Sequence, residues 1–203
     1  KEPSMKRLGI FGGTFDPPHI GHLIIAQTAL CELGLDKVMF IPCGNPPHKS
    51  AKQITKAEHR LAMVKKLICT NDRFEVSDIE VTNDAPSYTA STIKHLQEQL
   101  PGVGLTFIVG ADSLAYMKNW WQPEEIFSRC TVAVAARNSV GKDGLEQAAA
   151  ECRQLYQAKI RILNMPMIDI SSTDIRSSGN IEKFRYLIPD TVIEYMKFYK
   201  LFE

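Results

Sequence analysis

Two rhythms of apolar positions run along the chain. Short unbroken apolar runs alternate with longer stretches in which apolar residues return every three or four positions. The first run, Leu8 to Phe11, predicts a buried strand ending in Gly12-Gly13. Beyond a turn that holds Pro17 and Pro18, the residues Leu23, Ala26, Leu30 and Leu33 mark one face of a helix that starts at Gly21 and is closed by Gly34. Lys37 to Pro42 predicts a second buried strand, and the Pro- and Gly-containing stretch 43–49 predicts a loop. Thr55 and Glu58 have capping-box spacing, which predicts a helix to about Thr70 with Leu61, Val64 and Ile68 inward. A strand region over 74–81, a turn over 85–89 and a helix from about Ala90 to Leu100 follow.

Leu105 to Val109 predicts another buried strand, which delivers Gly110-Ala111-Asp112. A short helix, a turn at Trp120-Trp121 and a helix begun by Pro123 lead to a strand over Thr131–Ala136. Residues 138–144 are the most loop-like stretch, followed by a helix from about Leu145 to Gln157 and a strand over Lys159–Leu163. Ser171 to Arg176 reads as a helix start, and Pro189 opens a last helix to about Tyr199. Strands alternating with helices predict an α/β fold built on a doubly wound parallel sheet. Such sheets bind ligands beyond the carboxyl ends of their strands. Thr14 to His22, Asn45 to Lys49, Gly110 to Asp112, Arg137 and Ser171 to Arg176 all follow predicted strands, so they are expected on one face.

Composition narrows the classes. With 203 residues the chain is expected to form one domain over 5–203, and Lys1–Ser4, ahead of Met5, read as a tag remnant. Lys plus Arg number 24 against 23 Asp plus Glu, with no basic run, so neither nucleic acid nor a membrane surface is an expected partner. The five cysteines (31, 43, 69, 130, 152) are scattered without a C-x-x-C pair, which points to reduced thiols and a cytoplasmic location rather than a disulfide or zinc framework. No apolar run approaches a membrane span, and no signal peptide is read ahead of the first strand. A homo-oligomer is compatible with the pattern, since one sequence does not separate an interface stripe from a core stripe.

Chemistry gathers where strands end. His19 and His22 sit three apart at a helix start, where N–H groups and the dipole attract phosphate. The same pair with Asp16 could hold a metal, though no third His or Cys lies near, or could be structural. Gly13 lets backbone approach a phosphate and Thr14 offers a hydroxyl, while Gly12-Gly13 could also be a plain tight exit from a strand. Lys49, after Pro46-Pro47-His48, is a compact cation that suits a polyphosphate, but a lone loop lysine is ordinarily just solvated. Ser172 and Thr173 with Arg176 one turn on form a polyanion cradle or an ordinary N-cap. Asp112, after Gly110, could accept from ribose hydroxyls or cap the next helix. Ser87-Tyr88-Thr89 at a helix start favours a carboxylate, and Trp120 or its neighbour Trp121 could stack on a cationic ring or belong to the core.

Gly-Gly-Thr-Phe-Asp-Pro-Pro-His-Ile-Gly-His, residues 12–22, resembles the H-x-G-H signature of the nucleotidyltransferase superfamily, and Ile-Ser-Ser-Thr-Asp-Ile-Arg, residues 170–176, resembles its second phosphate motif. With Asn-Pro-Pro-His-Lys and Ser-Tyr-Thr, the chain is similar over nearly its whole length to the bacterial nicotinate-mononucleotide adenylyltransferases. The resemblance implies a Rossmann-like nucleotidyltransferase fold and transfer of AMP from ATP to nicotinate mononucleotide. The products would be deamido-NAD and pyrophosphate. It implies catalytic roles for His19, His22 and Arg176. ATP contacts would come from Gly13, Thr14, Phe15, His19, His22, Lys49, Gly110, Asp112, Ser172, Thr173 and Arg176. Nicotinate mononucleotide would meet Thr14, Phe15, Lys49, Tyr88, Thr89, Trp120 and Arg137. Magnesium is expected through ATP phosphates, with no protein metal site. Pantetheine-phosphate adenylyltransferase shares the first motif and is the nearest alternative; a nucleotide sensor without chemistry is another.

Overall fold

The computed structural model describes residues 5–45, 54–82, 86–136, 142–166 and 168–202. Lys1–Ser4, Lys49, Arg137 and residues 138–141 of the expected loop lie outside them. Six strands, β1 (Arg7–Gly13), β2 (Lys37–Pro42), β3 (Phe74–Val76), β4 (Gly104–Gly110), β5 (Cys130–Ala135) and β6 (Ile160–Leu163), form one sheet in the order β3-β2-β1-β4-β5-β6. Every neighbouring pair is parallel. The order reverses between β1 and β4, which is the topological switch point of a doubly wound sheet.

Period-two alternation sends side chains to two cores. Phe11, Val38, Phe40, Ile108 and Ala133 face one side. There α1 (Ile20–Glu32), α2 (Ala57–Ile68), α7 (Ser172–Ser177) and α8 (Asp190–Phe198) cover them with Ile25, Leu30, Met63, Leu67, Ile175 and Val192. Leu8, Ile10, Ile41, Phe107 and Val132 face the other side. They lie under α3 (Thr89–Gln99), α4 (Ala111–Tyr116), α5 (Pro123–Arg129) and α6 (Lys142–Tyr156). Both faces of the strands are therefore covered, which is why they read as continuous apolar runs.

Three local expectations change. The capping box at Thr55 does not form: Lys56 is the N-cap of α2 and makes no side-chain cap bond. Thr55 is used elsewhere, its N–H donating to Asp16 Oδ2 at 3.1 Å and its carbonyl accepting from Arg60 Nε at 2.8 Å. The strand expected over 74–81 stops at Val76, because β3 is an edge strand whose exit turns back through bonds from the Val81 and Thr82 N–H groups to the Asp78 carbonyl. Finally, α6 already begins at Lys142, so residues 142–144 belong to a helix rather than the loop.

Candidate active site

The turn between β1 and α1 is held from below. Phe15 has φ of +51°, the left-handed region seldom used by residues with a side chain. Its ring drops into the core, where it meets Phe11, Phe40 and His22 at centroid distances of 5.6, 5.8 and 4.9 Å. What Phe15 can present to a ligand is therefore its backbone. Asp16 is buried, the Asp16–Pro17 peptide is cis, and His19 is the N-cap of α1.

The two histidines lie face to face, ring centroids 3.9 Å apart, with His19 only 1% exposed and His22 half-buried. His22 Nδ1 accepts the His19 backbone N–H at 3.1 Å. That acceptance assigns the proton of a neutral His22 ring to Nε2, so the outer edge of the ring is a donor. The glycine between the histidines has a packing reason. A Cβ on Gly21 would stand 2.9 Å from His19 Nδ1 and 3.2 Å from Ile170 Cγ2, so only glycine lets the buried imidazole lie over the helix start. The Ile20 N–H goes to the Leu187 carbonyl and the His22 N–H to the His19 carbonyl. The first turn of α1 thus offers an anion fewer open N–H groups than a bare helix start, and more of the work falls on side chains.

The second motif docks on the first. Ser171 is the N-cap of α7 and accepts the Asp174 N–H at 3.1 Å. Ser172 Oγ donates to the Pro17 carbonyl at 2.8 Å, and Arg176 Nη1 donates to the Asp16 carbonyl. Arg176 Nη2 reaches Thr173 Oγ1 at 3.3 Å, and Thr173 is exposed. Residues that the sequence separates by about 155 positions are thus pinned to one turn. Gly110 is the N-cap of α4 where β4 ends beside β1, and Asp112 is exposed in its first turn.

On the other side of the turn lies a cavity of about 230 Å³ whose wall includes Gly13, Thr14, Tyr88, Thr89, Trp120 and Trp121. Tyr88 is the N-cap of α3 and Thr89 its first residue. Trp120 leans edge-on against Phe107, at 6.2 Å, and packs on the core. Trp121 is 47% exposed and lies against Tyr88 at 5.0 Å. One tryptophan is anchored and the other forms the outer rim.

Ser87, read from the sequence beside Tyr88 and Thr89, has a further use, and Glu80 and Arg60 are not visible from motif reading. Ser87 Oγ accepts the Gly44 and Asn45 N–H groups at 3.1 and 3.3 Å, tying the loop after β2 to the start of α3. A Cβ on Gly44 would fall 1.8 Å from the Glu80 carbonyl oxygen, so the two loops touch backbone to backbone. Glu80 borders the cavity, and its carboxylate accepts from Thr92 Oγ1 at 2.7 Å. Burial pushes its carboxyl above the ordinary value, while hydrogen bonds from Thr92 and Ser87 pull it back in part. Arg60 is also missed, although its spacing to Met63, Val64 and Leu67 puts it on the inward face of α2. An arginine at a core position of a helix was the available signal.

The sheet order and the two docked motifs define the class: the chain is a nucleotidyltransferase, and the model of the cytidylyltransferase-like family matches residues 10–178. A probable nicotinate-nucleotide adenylyltransferase of Clostridium novyi (strain NT) is 43% identical over 200 residues, spanning 97% of this chain and 100% of its own. One from Clostridium tetani (strain Massachusetts / E88) is 40% identical over 199 residues, spanning 98% and 100%. The chain belongs to this family of adenylyltransferases. Among solved structures, the Plasmodium falciparum nicotinic acid mononucleotide adenylyltransferase complexed with NaAD shares the fold, with a TM-score of 0.81 at 19% identity over 97% of both chains.

Proposed function

We propose that the chain transfers AMP from ATP to the 5′-phosphate of nicotinate mononucleotide. An oxygen of that phosphate attacks the α-phosphorus, the bond to the β-phosphate's bridging oxygen breaks, and pyrophosphate leaves with the electron pair. The product is deamido-NAD. The observation that carries this reading is that one turn, residues 13–17, serves both sides: Gly13 and Thr14 border the cavity of Tyr88, Thr89 and Trp120, and the Asp16 and Pro17 carbonyls hold Arg176 and Ser172. Two anionic substrates held on either side of that turn would meet across it.

The attacking phosphate is already an anion, so no side chain has to remove a proton. Positioning and charge stabilisation are what the protein supplies. His22 offers Nε2–H. Arg176 has five N–H donors, so its bonds to Asp16 and Thr173 leave capacity for a phosphate. Thr14, Gly13, Ser172 and Thr173 are assigned to the same approach, and buried His19 backs the His22 ring from 3.9 Å, with Lys49 assigned to the triphosphate, Gly110 and Asp112 to the adenosine side and Arg137 to the acceptor. Magnesium arrives as part of the ATP substrate. Among the described residues no group of three or more His, Cys, Asp and Glu side chains could hold a metal, whereas triphosphate oxygens and water suit its octahedral demand.

The acid rather than the amide of the pyridine is favoured by the start of α3, an eleven-residue helix whose dipole and N–H groups suit a carboxylate beside Thr89. Trp120 supplies a flat face for the pyridinium ring. Among the described residues no helix is long and apolar enough to cross a membrane. The free cysteines 31, 43, 69, 130 and 152 fit the reducing cytoplasm, where this chemistry would run.

The test is pyrophosphate release from ATP and magnesium with nicotinate mononucleotide, nicotinamide mononucleotide or phosphopantetheine as acceptor. Strong preference for the first is expected. Activity with phosphopantetheine alone would overturn the substrate, and silence with all three would overturn transfer in favour of nucleotide sensing.

A further inference from the structure

Arg60 heads the fully buried side chains by volume among the described residues, only 1% exposed. An arginine side chain brings a cationic guanidinium with it. Among the described residues it forms no ion pair. Its acceptors are neutral backbone carbonyls from three separate segments. Nη1 donates to the Thr14 carbonyl at 2.9 Å, Nη2 to the Gly44 carbonyl at 3.2 Å and Nε to the Thr55 carbonyl at 2.8 Å. Cys43 Sγ lies 3.7 Å from Nη1. Burying a cation costs several kcal/mol, roughly, a cost its hydrogen bonds must offset before they stabilise anything. Stability is therefore a poor reason for this residue.

Geometry supplies a better one. Thr14 and Cys43 both border the cavity, so the guanidinium stands directly behind its wall. A peptide is planar, with C=O and N–H on opposite sides. Gripping the Gly44 carbonyl thus turns the Asn45 N–H outward, and that N–H donates to Ser87 Oγ. Gripping the Thr14 carbonyl likewise turns the Phe15 N–H away from Arg60, at the one turn that both substrates border. The preceding peptide, Ile54–Thr55, is fixed by Asp16, whose Oδ2 accepts the Thr55 N–H. One planar fork therefore sets the separation between the first turn and the Gly44–Ser87 wall ahead of α3.

We infer that Arg60 is a positioning residue for AMP transfer: from inside the core it orients the Thr14–Phe15 and Gly44–Asn45 peptides and so fixes the cleft in which acceptor and ATP meet. This rests on the transfer reading above. Arg60 touches no substrate; it acts through the two peptides it holds.

Steady-state kinetics and thermal unfolding of Arg60→Met, Arg60→Lys and Arg60→Ala test it, with the wild type alongside. Displacing reacting groups by about an ångström costs on the order of 10²-fold in rate, so kcat of Arg60→Met should fall roughly 10- to 100-fold. The KM for ATP should change less than about threefold, and far-UV circular dichroism should show a folded variant even where Tm falls, since three carbonyls lose their donor. Arg60→Lys keeps the charge but not the fork, and should recover little of kcat. Guanidinium chloride at millimolar concentration should restore part of the activity of Arg60→Ala, while potassium chloride at equal ionic strength should not.

Wild-type kcat in folded Arg60→Met, or full activity in Arg60→Lys, would overturn the inference. If Arg60→Met does not fold, the guanidinium arm decides: rescue of Arg60→Ala supports the role and no rescue overturns it. Should the wild type prefer another acceptor, the substrate reading fails alone, and the variants are compared on that acceptor. A wild type silent with every acceptor removes the transfer reading itself, and the positioning role with it.

Discussion

His22 is held before any substrate arrives. Its Nδ1 accepts the His19 N–H, its ring meets Phe15 edge-on, and the buried His19 ring lies 3.9 Å away. A donor fixed this way need not reorganise when charge develops on a phosphate, which is what gives preorganised groups their effect. His22→Ala should lower kcat by roughly 10²- to 10³-fold with unchanged far-UV circular dichroism. A folded variant turning over like the wild type would remove His22 from the transition state. Both histidines were legible in the sequence because helical spacing alone puts residues three apart on one side. Gly21 was legible only as part of a string; its reason, the 2.9 Å approach to His19, needs coordinates. Asp16 and Arg60 were harder still. Their partners are backbone groups of remote segments, and backbone carbonyls leave no mark on a sequence.

Elements were read more reliably than the contacts between them. The strand expected over Lys37–Pro42 is found there, and the strand turns that carry Thr14 and Gly110 converge as alternation predicted. The Thr55 capping box failed because the Thr55 backbone is already engaged, the N–H by Asp16 and the carbonyl by Arg60. Edge strand β3 was overextended for a related reason: Ile79-Glu80-Val81 has strand composition, yet Glu80 is needed against α3 and Gly44. That placement has a pH consequence. Burial raises the Glu80 carboxyl on folding, so between its unfolded and folded values the native state binds more protons than the unfolded one. The stability tied to this group is fully present below the unfolded value and is lost as pH rises through the folded value. Glutamine can accept the Thr92 hydroxyl without ever ionising. The Tm of Glu80→Gln relative to wild type should therefore rise between about pH 4 and about pH 8. A difference that stays level or shrinks over that range would show that the carboxylate is ionised without penalty.

At the scale of the molecule the sheet separates two cores that share no side-chain layer, yet the site draws on both. His22, Ser172 and Arg176 stand over the layer of α1 and α7, and Thr89 and Trp120 over that of α3 and α4. The transfer geometry proposed above would require the two layers to stay in register, so they should unfold together. Phe40 tests this from one side. It is fully buried, with centroids 5.4 Å from Phe11 and Phe74 and 5.8 Å from Phe15, while both tryptophans report from the opposite layer. Phe40→Ala should cost about 3–5 kcal/mol through lost burial and the cavity left behind. For a domain of this size that is roughly 2–4 °C of Tm per kcal/mol. The decrease should be the same by tryptophan fluorescence and by far-UV circular dichroism, since a cooperative unit has one midpoint for every probe. A fluorescence midpoint that stays at the wild-type value while the dichroism midpoint falls would mean that each layer melts alone. The cleft would then depend on ligand, rather than on the shared sheet, to bring its two walls into register.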